Sequence, residues 1–220
     1  RYIGGDSRRV VDIGAGIGRL TYAVLCANWW DTSQVQMTAV EINEAYLKVG
    51  QRLMPEVTWV QGDFYDLHLW QNLPRFDQAI SNPPFGQVLT DYDTSWIGYR
   101  GPAGLMVASI GLQIARLGIT MILPQMQTPF CYSGAPPGKS AYAASQAGYL
   151  KRFIARHPEL EWHHSSIDTT QEEYTSGWRG VSPMVELVSL QGRNGALLPL
   201  RAAATAPKPN CSLALTGHMV

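Results

Sequence analysis

The residues best suited to chemistry lie in the stretch 81–86, Ser-Asn-Pro-Pro-Phe-Gly, which follows a short apolar run predicted to be a buried strand. The two prolines fix two φ angles and remove two N–H donors, which makes the corner stiff. Pro83 also pushes Asn82 into an extended conformation. A planar substrate with an –NH2 group could stack on Phe85 and donate hydrogen bonds to the Asn82 side-chain carbonyl and the Pro83 carbonyl. Those acceptors would favour positive charge on the nitrogen as it becomes a nucleophile.

A second candidate site is the glycine turn after the predicted strand 10–13, with the pattern Asp12-x-Gly14-x-Gly16-x-Gly18. A helical pattern follows the turn. Strand, glycine turn and helix form the opening of a doubly wound α/β sheet, in which ligands bind at the carboxyl ends of the strands. The spacing differs from the G-x-G-x-x-G fingerprint of dinucleotide binding, which speaks against a nicotinamide-dependent oxidoreductase.

Two further acidic residues follow predicted strands. Glu41 ends the run 36–40 and lies at about the offset from the glycine turn where nucleoside-binding α/β proteins place a carboxylate for the ribose hydroxyls. Asp63 comes after the run 57–60. An Asp in such a turn is often only an Asx-turn residue, so Asp63 alone is a weak signal. Three acidic residues at three successive strand ends are a stronger one.

This order of motifs resembles the class I S-adenosylmethionine-dependent amino-methyltransferases, which methylate N6 of adenine, N4 of cytosine or the amide nitrogen of glutamine. The glycine turn is similar to their motif I, and Asn-Pro-Pro-Phe at 82–85 is similar to their motif IV, in the N6-adenine type. The resemblance covers about residues 8–190. It implies S-adenosylmethionine as the cofactor, no metal, and a doubly wound, mostly parallel seven-stranded sheet of the Rossmann-like methyltransferase type with an antiparallel last strand.

The resemblance also assigns roles to residues. It implies that Asp12 accepts hydrogen bonds from the turn or, through water, from the cofactor ammonium, and that Asp63 accepts from the adenine amine. Ile42 and Phe64 would pack beside the adenine ring. The catalytic residues it implies are Asn82, Pro83, Pro84 and Phe85. The implied cofactor-binding residues are Asp12, Gly14, Ala15, Gly16, Gly18, Glu41, Ile42, Asp63, Phe64 and Asn82.

The remaining chain is predicted to complete the sheet with strands at 119–123, 162–167 and 185–190, the last two being antiparallel. Residues 1–190 are expected to form the catalytic domain, and 191–220 a tail or linker. Residues 90–102 are predicted to be an exposed lid over the active site. Aromatic side chains that could stack a substrate base, and an arginine that could contact phosphate, are candidates for substrate binding, although they could equally serve only to anchor loops. These candidates are Phe85, Phe130, Tyr174, Trp178 and Arg179.

Composition bounds the function only loosely. The 220 residues suit one domain, and 17 basic residues balance 17 acidic ones, so the formal net charge is zero. A nucleic-acid enzyme of this composition would need local basic patches. The three cysteines are widely spaced, which argues against disulfides and structural zinc and favours a cytoplasmic location. No apolar run reaches membrane-spanning length.

The predicted function is methylation of the N6 amine of adenine in nucleic acid, with DNA slightly favoured over RNA. Only about 70 residues separate the two motifs, which leaves no room for a target-recognition domain between them. Other domains or subunits could supply recognition if the chain is a fragment of a larger enzyme. The alternatives are an RNA adenine methyltransferase, a protein-glutamine methyltransferase, and a subunit that binds the cofactor without catalysis.

Overall fold

The computed structural model describes residues 8–26, 35–84, 92–124, 152–153, 155–167 and 185–198. They form one seven-stranded sheet with the strand order β3-β2-β1-β4-β5-β7-β6. The strands are β1 (Arg9–Ile13), β2 (Gln36–Glu41), β3 (Thr58–Gln61), β4 (Gln78–Ser81), β5 (Gly118–Pro124), β6 (Leu160–Ile167) and β7 (Val185–Gly192). The α-helices with described bounds are α1 (Arg19–Leu25), α2 (Glu44–Leu53), α3 (Leu67–Gln71) and α4 (Ala103–Ile114).

The pairing of the strands confirms the predicted fold class. Strands β1 to β5 are joined by parallel pairs, and β7 pairs antiparallel with both β5 and β6. The strand order reverses between β1 and β4, which is the point where open α/β sheets bind their ligands. The sheet is therefore a Rossmann-like methyltransferase sheet with an antiparallel finish, as predicted.

The two faces of the sheet carry separate apolar clusters. Successive strand residues point to opposite faces, so Val10 joins one cluster and Val11 the other. The smaller cluster includes Val24 of α1, and Gly50 of α2 packs against Trp59 on that side. The larger cluster lies under α4. Helices α1 and α2 thus cover one face, and α4 covers the other.

Helix α4 is buried on nearly all sides, from Ala103 to Leu112 and again at Ile114. A helix that is apolar all round must be covered on its outer side as well. Part of that cover is the 3-10 helix Ser95–Ile97, since the Ser109 hydroxyl donates to the Ile97 carbonyl oxygen at 2.6 Å. Ile97 and Tyr99 are buried, so the prediction of an exposed lid is wrong for these two residues.

The folded region continues beyond the last predicted strand. Strand β7 ends at Gly192 rather than at residue 190. The backbone N–H of Leu198 donates to the Arg116 carbonyl oxygen at 2.8 Å, and the Leu198 side chain is buried in the larger cluster. Residues 191–198 therefore pack with the domain, and the expected tail after them lies outside the described residues.

The amino ends of three strands are joined by one buried carboxylate. Asp77 accepts hydrogen bonds from the backbone N–H groups of Arg8 and Arg9 and from Nε of Arg116. Burial opposes its charge, but these hydrogen bonds outweigh the burial and hold the pKa of Asp77 below its usual value.

Among the described residues, none of the helices has the length and apolar character needed to span a lipid bilayer.

Candidate active site

The predicted site residues lie at one edge of the sheet because the strand register brings them together. Ile13, the last residue of β1, pairs with Val40 of β2 and with Ser81 of β4. The next residues, Gly14, Glu41 and Asn82, therefore emerge side by side at the carboxyl ends of three neighbouring strands. On the far side of β2, Glu41 pairs with Gln61, which places the turn containing Asp63 next in the row.

The glycine turn curls back over the end of β2. The N–H groups of Gly14 and Ala15 both donate to the Val40 carbonyl oxygen, at 3.0 and 2.9 Å. Three glycines, at 14, 16 and 18, have positive φ angles, a region that side chains with a Cβ rarely adopt. A Cβ on Gly18 would collide with Met54 and Trp59, whereas a Cβ on Gly16 would meet nothing within 4 Å. The turn is therefore packed at its end and open at its tip.

Glu41 fixes the tip of the turn. Its Oε2 accepts from the N–H of Gly16 at 2.7 Å, and its Oε1 accepts from the N–H of Asn43 at 2.8 Å. Its side chain is buried. A carboxylate oxygen has lone pairs for more than one donor, so these two bonds leave capacity for hydroxyl groups of a ligand. The neighbouring Ile42 is 58% exposed, which is compatible with an apolar wall for a ligand.

Asp12 lies beneath the turn and is almost completely buried. Its Oδ2 accepts from the N–H and the hydroxyl of Thr21, at 3.1 and 2.7 Å, so its partner belongs to α1 rather than to the turn itself. Its Oδ1 is buried without a hydrogen-bond partner among the described residues. Burial raises the pKa of Asp12 to about 7; the two Thr21 bonds act against this rise, and the charge of Glu41 adds to it.

Asp63 and Phe64 occupy the turn after β3. Oδ1 of Asp63 accepts from the N–H of Tyr65 at 2.9 Å, which makes the residue an Asx-turn residue as well as a candidate ligand. Phe64 lies against the glycine turn, because a Cβ on Gly14 would be 3.4 Å from its ring. The indole of Trp70 donates to the Phe64 carbonyl oxygen at 2.8 Å and holds this turn in place.

The proline corner begins directly after β4. The Ser81 hydroxyl donates to the Ile13 carbonyl oxygen at 2.6 Å, which ties the start of the corner to the end of β1. Asn82 and Pro84 are exposed, and Pro83 is buried between them. The amide is thus presented to solvent from a fixed base. The other predicted substrate contacts, Phe85, Phe130, Tyr174, Trp178 and Arg179, lie outside the described residues.

Three supporting residues were not identified from the sequence. They are Thr21, which holds Asp12; Ser81, which joins the two central strands; and Asn43, whose side chain accepts from the N–H groups of Ala45 and Tyr46 at the start of α2. The position of Asn43 one residue before a helical pattern is a readable N-cap signal. The contacts of Thr21 and Ser81 depend on tertiary structure and carry no such signal.

The chain's own residues fit the expected nucleoside cofactor. The open tip at Gly16, the buried carboxylate of Glu41 and the unpartnered Oδ1 of Asp12 offer space, hydroxyl acceptors and an acceptor for a cationic group. The ring of Phe64 is placed beside the turn for a planar base. Among the described residues there is no cluster of three or more side chains suited to a metal ion.

Comparison with known proteins agrees with this geometry. Residues 4–96 match the family model for the methyltransferase small domain, a span that contains the glycine turn, Glu41, Asp63 and the proline corner. A release factor glutamine methyltransferase of Xylella fastidiosa is 29% identical over 118 residues. That alignment covers 51% of this chain and 40% of the relative, so the chain spans less than half the length of the relative it matches.

One solved structure supports the fold, and a second is reported beside it only as a similar protein. A Listeria monocytogenes protein, provisionally assigned as a class I S-adenosylmethionine-dependent methyltransferase, superposes with a TM-score of 0.57 at 12% identity, covering 87% of this chain and 55% of that protein. A Pyrococcus horikoshii protein, provisionally assigned as an RNA methyltransferase, gives a TM-score of 0.49 at 16% identity, covering 84% of this chain and 74% of that one. The Listeria monocytogenes protein thus shares the fold of this chain, and the match to the methyltransferase small domain is confined to residues 4–96.

Proposed function

We propose that the chain transfers the methyl group of S-adenosylmethionine to a planar –NH2 nitrogen. The observation that carries this proposal is the adjacency of Gly14 and Asn82, which follow paired residues of β1 and β4. A cofactor lying on the glycine turn would have its sulfonium end near the proline corner. An amine acceptor beside a methyl donor is the arrangement that nitrogen methylation needs.

The protein's part in the reaction is positioning and electrostatics. When bound, S-adenosylmethionine supplies a methyl group on a positively charged sulfur, so the chain need not generate an electrophile. The Asn82 side-chain oxygen and the Pro83 carbonyl oxygen would accept the two N–H bonds of the target. They would thereby direct the nitrogen lone pair at the methyl carbon and stabilise the charge that develops on the nitrogen. One proton then leaves the nitrogen for solvent, which the exposure of Asn82 allows.

The substrate proposed first is the N6 amine of adenine in nucleic acid, with DNA slightly favoured over RNA. The Asn-Pro-Pro-Phe sequence supports it, since an aromatic residue next to the corner suits a planar base. A base in a duplex would have to be flipped out, at a cost of a few kcal/mol, whereas an unpaired base avoids that cost. Single-stranded substrate is therefore the better first probe.

The second candidate is the side-chain amide of a protein glutamine, which also carries a planar –NH2 group. The specific observation in its favour is the similarity to release factor glutamine methyltransferases of Xylella fastidiosa. The formal net charge of zero is compatible with a protein substrate.

The test is transfer of a labelled methyl group from the cofactor to DNA, RNA and protein pools, followed by analysis of nucleosides and amino acids. The proposal expects label on N6-methyladenosine or N6-methyldeoxyadenosine, and the second candidate expects N5-methylglutamine. Label only on oxygen or carbon would contradict both. Calorimetric titration with S-adenosylmethionine and with NAD provides the matching control, since a preference for NAD would end the methyltransferase proposal.

A further inference from the structure

The outer side of α4 is bordered by a cleft rich in arginine. It has a volume of about 550 Å³ and lies between the segment 92–100 and the two residues Arg152 and Arg156. We name it the arginine cleft, and its defining residues are Tyr92, Asp93, Tyr99, Arg100, Arg152 and Arg156. None of the predicted site residues that the structure describes belongs to it.

The charge of the arginine cleft departs from that of the whole chain. Among the described residues that line it, three are arginines and one, Asp93, is a carboxylate, so the formal charge of these residues is +2 in a chain whose formal net charge is zero. The carboxylate of Asp93 accepts two hydrogen bonds from Ser95. Oδ1 accepts from the N–H and Oδ2 from the hydroxyl, both at 2.9 Å. These two bonds lower the pKa of Asp93, so the carboxylate stays ionised and the net charge of the cleft is stable near neutral pH.

The arginines are placed on structured elements. Arg156 donates to the Gly98 carbonyl oxygen at 3.0 Å and lies 6.0 Å from the ring centre of Tyr99, so its guanidinium is oriented by the cleft wall. Tyr99 in turn packs edge-on against Phe153 at 5.0 Å. Arg152 and Arg156 both line the cleft opposite the segment 92–100. An arginine offers five N–H donors, so one bond to the wall leaves others for a ligand.

The segment 92–100, which forms one wall of the arginine cleft, also contacts the turn beside the proposed active site. The indole of Trp96, within the cleft segment, donates to the Tyr65 carbonyl oxygen at 2.9 Å. Tyr65 lies against Phe64, with ring centres 4.5 Å apart, and Phe64 borders the glycine turn. The ten residues from Asn82 to Tyr92 span at most about 36 Å. A stacked strand that rises about 3.4 Å along its axis for each nucleotide covers that distance with on the order of ten nucleotides.

We propose that the arginine cleft binds the phosphate backbone of the nucleic-acid substrate on one side of the target base. The proposal rests on the first candidate of the proposed function, a base in nucleic acid. Guanidinium groups bind phosphate oxygens in a planar, two-pronged way, and such contacts fix the register of the strand without reading its sequence. The cleft supplies the local basic patch that a chain of zero net charge needs for this kind of substrate.

The test compares two single-stranded DNA probes, each with a single adenine. The long probe has about ten nucleotides on each side of the adenine, and the short probe is only two nucleotides long. The variants are Arg100→Gln, Arg152→Gln, Arg156→Gln and the triple variant. The matched control is Arg52→Gln, on α2 at the opposite face of the sheet. For the long probe, the triple variant should weaken binding at least about tenfold. It should also reduce the slope of log K against log salt by about 0.7 for each phosphate that the arginines no longer neutralise.

Further readouts separate this role from a structural one. Asp93→Asn removes the opposing charge and should tighten binding of the long probe. The short probe should bind equally to wild type and all variants, and the dissociation constant for S-adenosylmethionine should not change. Equal affinity and salt slope in wild type and triple variant would overturn the proposal. An equal loss of affinity for the long probe in Arg52→Gln would also overturn it. The same holds if an acidic peptide displaces the probe as readily as unlabelled DNA does.

The outcome can be distinguished from failure of the proposed function. If adenine is methylated but the arginine variants behave as wild type, the cleft assignment falls and the function stands. If only glutamine is methylated and the long probe does not bind, the first candidate function falls and the cleft assignment falls with it.

Discussion

The carboxylate of Glu41 and the backbone N–H of Gly16 are joined by a hydrogen bond of 2.7 Å, so the residue expected to hold the cofactor ribose also shapes the turn beneath the cofactor. Glu41→Ala should therefore weaken S-adenosylmethionine binding by about 1–3 kcal/mol, the loss expected for a charged acceptor. Calorimetric titration measures this. Glu44→Ala, at an exposed α2 glutamate paired with Lys48, is the matched control. An unchanged dissociation constant in Glu41→Ala would remove Glu41 from the cofactor site.

Asn82→Ala should abolish methyl transfer and change the cofactor affinity by no more than a few-fold. The amide is exposed on a corner fixed by the Ser81 bond to β1, so its removal should leave the fold intact. Single-turnover rates and calorimetry separate the two effects. Asn72→Ala, at the exposed end of α3, controls for loss of a surface amide. If the variant loses cofactor binding but keeps its single-turnover rate at saturating cofactor, Asn82 belongs to the cofactor pocket alone.

Asp12 should make the stability of the ligand-free protein depend on pH. Its pKa is about 7 in the folded protein against an ordinary value of 3.8, so the folded state binds the proton more tightly than the unfolded chain. Stability linked to this group is greatest at low pH and falls as pH rises from about 4 to about 7. Urea unfolding at pH 5, 6 and 7 should show a decline in wild type that Asp12→Asn lacks. Parallel profiles would contradict the raised pKa.

Gly16→Ala and Gly18→Ala form a matched pair. Both residues have positive φ, so each change carries a backbone cost of about 1 kcal/mol or more. Only the methyl group at position 18 meets Met54 and Trp59, so Gly18→Ala should lower the free energy of unfolding by clearly more. Gly16→Ala places its methyl in the open tip and should mainly weaken cofactor binding. Equal stability losses would show that the packing at Gly18 relaxes freely.

Asp77→Asn should lower the free energy of unfolding at pH 7 by about 1–3 kcal/mol, because it weakens three hydrogen bonds to a buried group. The pKa of Asp77 is depressed, so its contribution is present above the ordinary value of 3.8 and is lost as pH falls through the lower folded value. The difference between wild type and variant should therefore shrink in acid. A difference that is constant down to pH 2 would show that charge plays no part.

The elements that local sequence specifies were predicted well. Both ends of helix α2, Glu44–Leu53, follow from local sequence, since Asn43 caps its start and Pro55 lies just beyond its end. The antiparallel pairing of β6 and β7 was predicted because the sequence between them lacks a helical pattern, and the structure confirms it. The glycine turn and the acidic strand ends were found at the carboxyl edge because parallel strands place their ends together.

What could not be predicted depends on contacts between distant segments. Ile97 and Tyr99 are buried because α4 is apolar on all sides and needs cover. The polar residues around them in the sequence give no sign of this burial. The arginine cleft joins Arg100 to Arg152 and Arg156, about fifty positions later, and no spacing rule relates them. The partners of Asp12 and Glu41 likewise became clear only from the fold.

The bond from the Trp96 indole to the Tyr65 carbonyl oxygen acts as a bracket between the proposed cofactor site and a wall of the proposed phosphate site. A nucleoside resting on Phe64 would restrain Tyr65 and, through this bracket, the wall that carries Tyr99. Ordering of this region by either ligand would lower the entropy cost of binding the other, so the two ligands should strengthen each other's binding by the same factor.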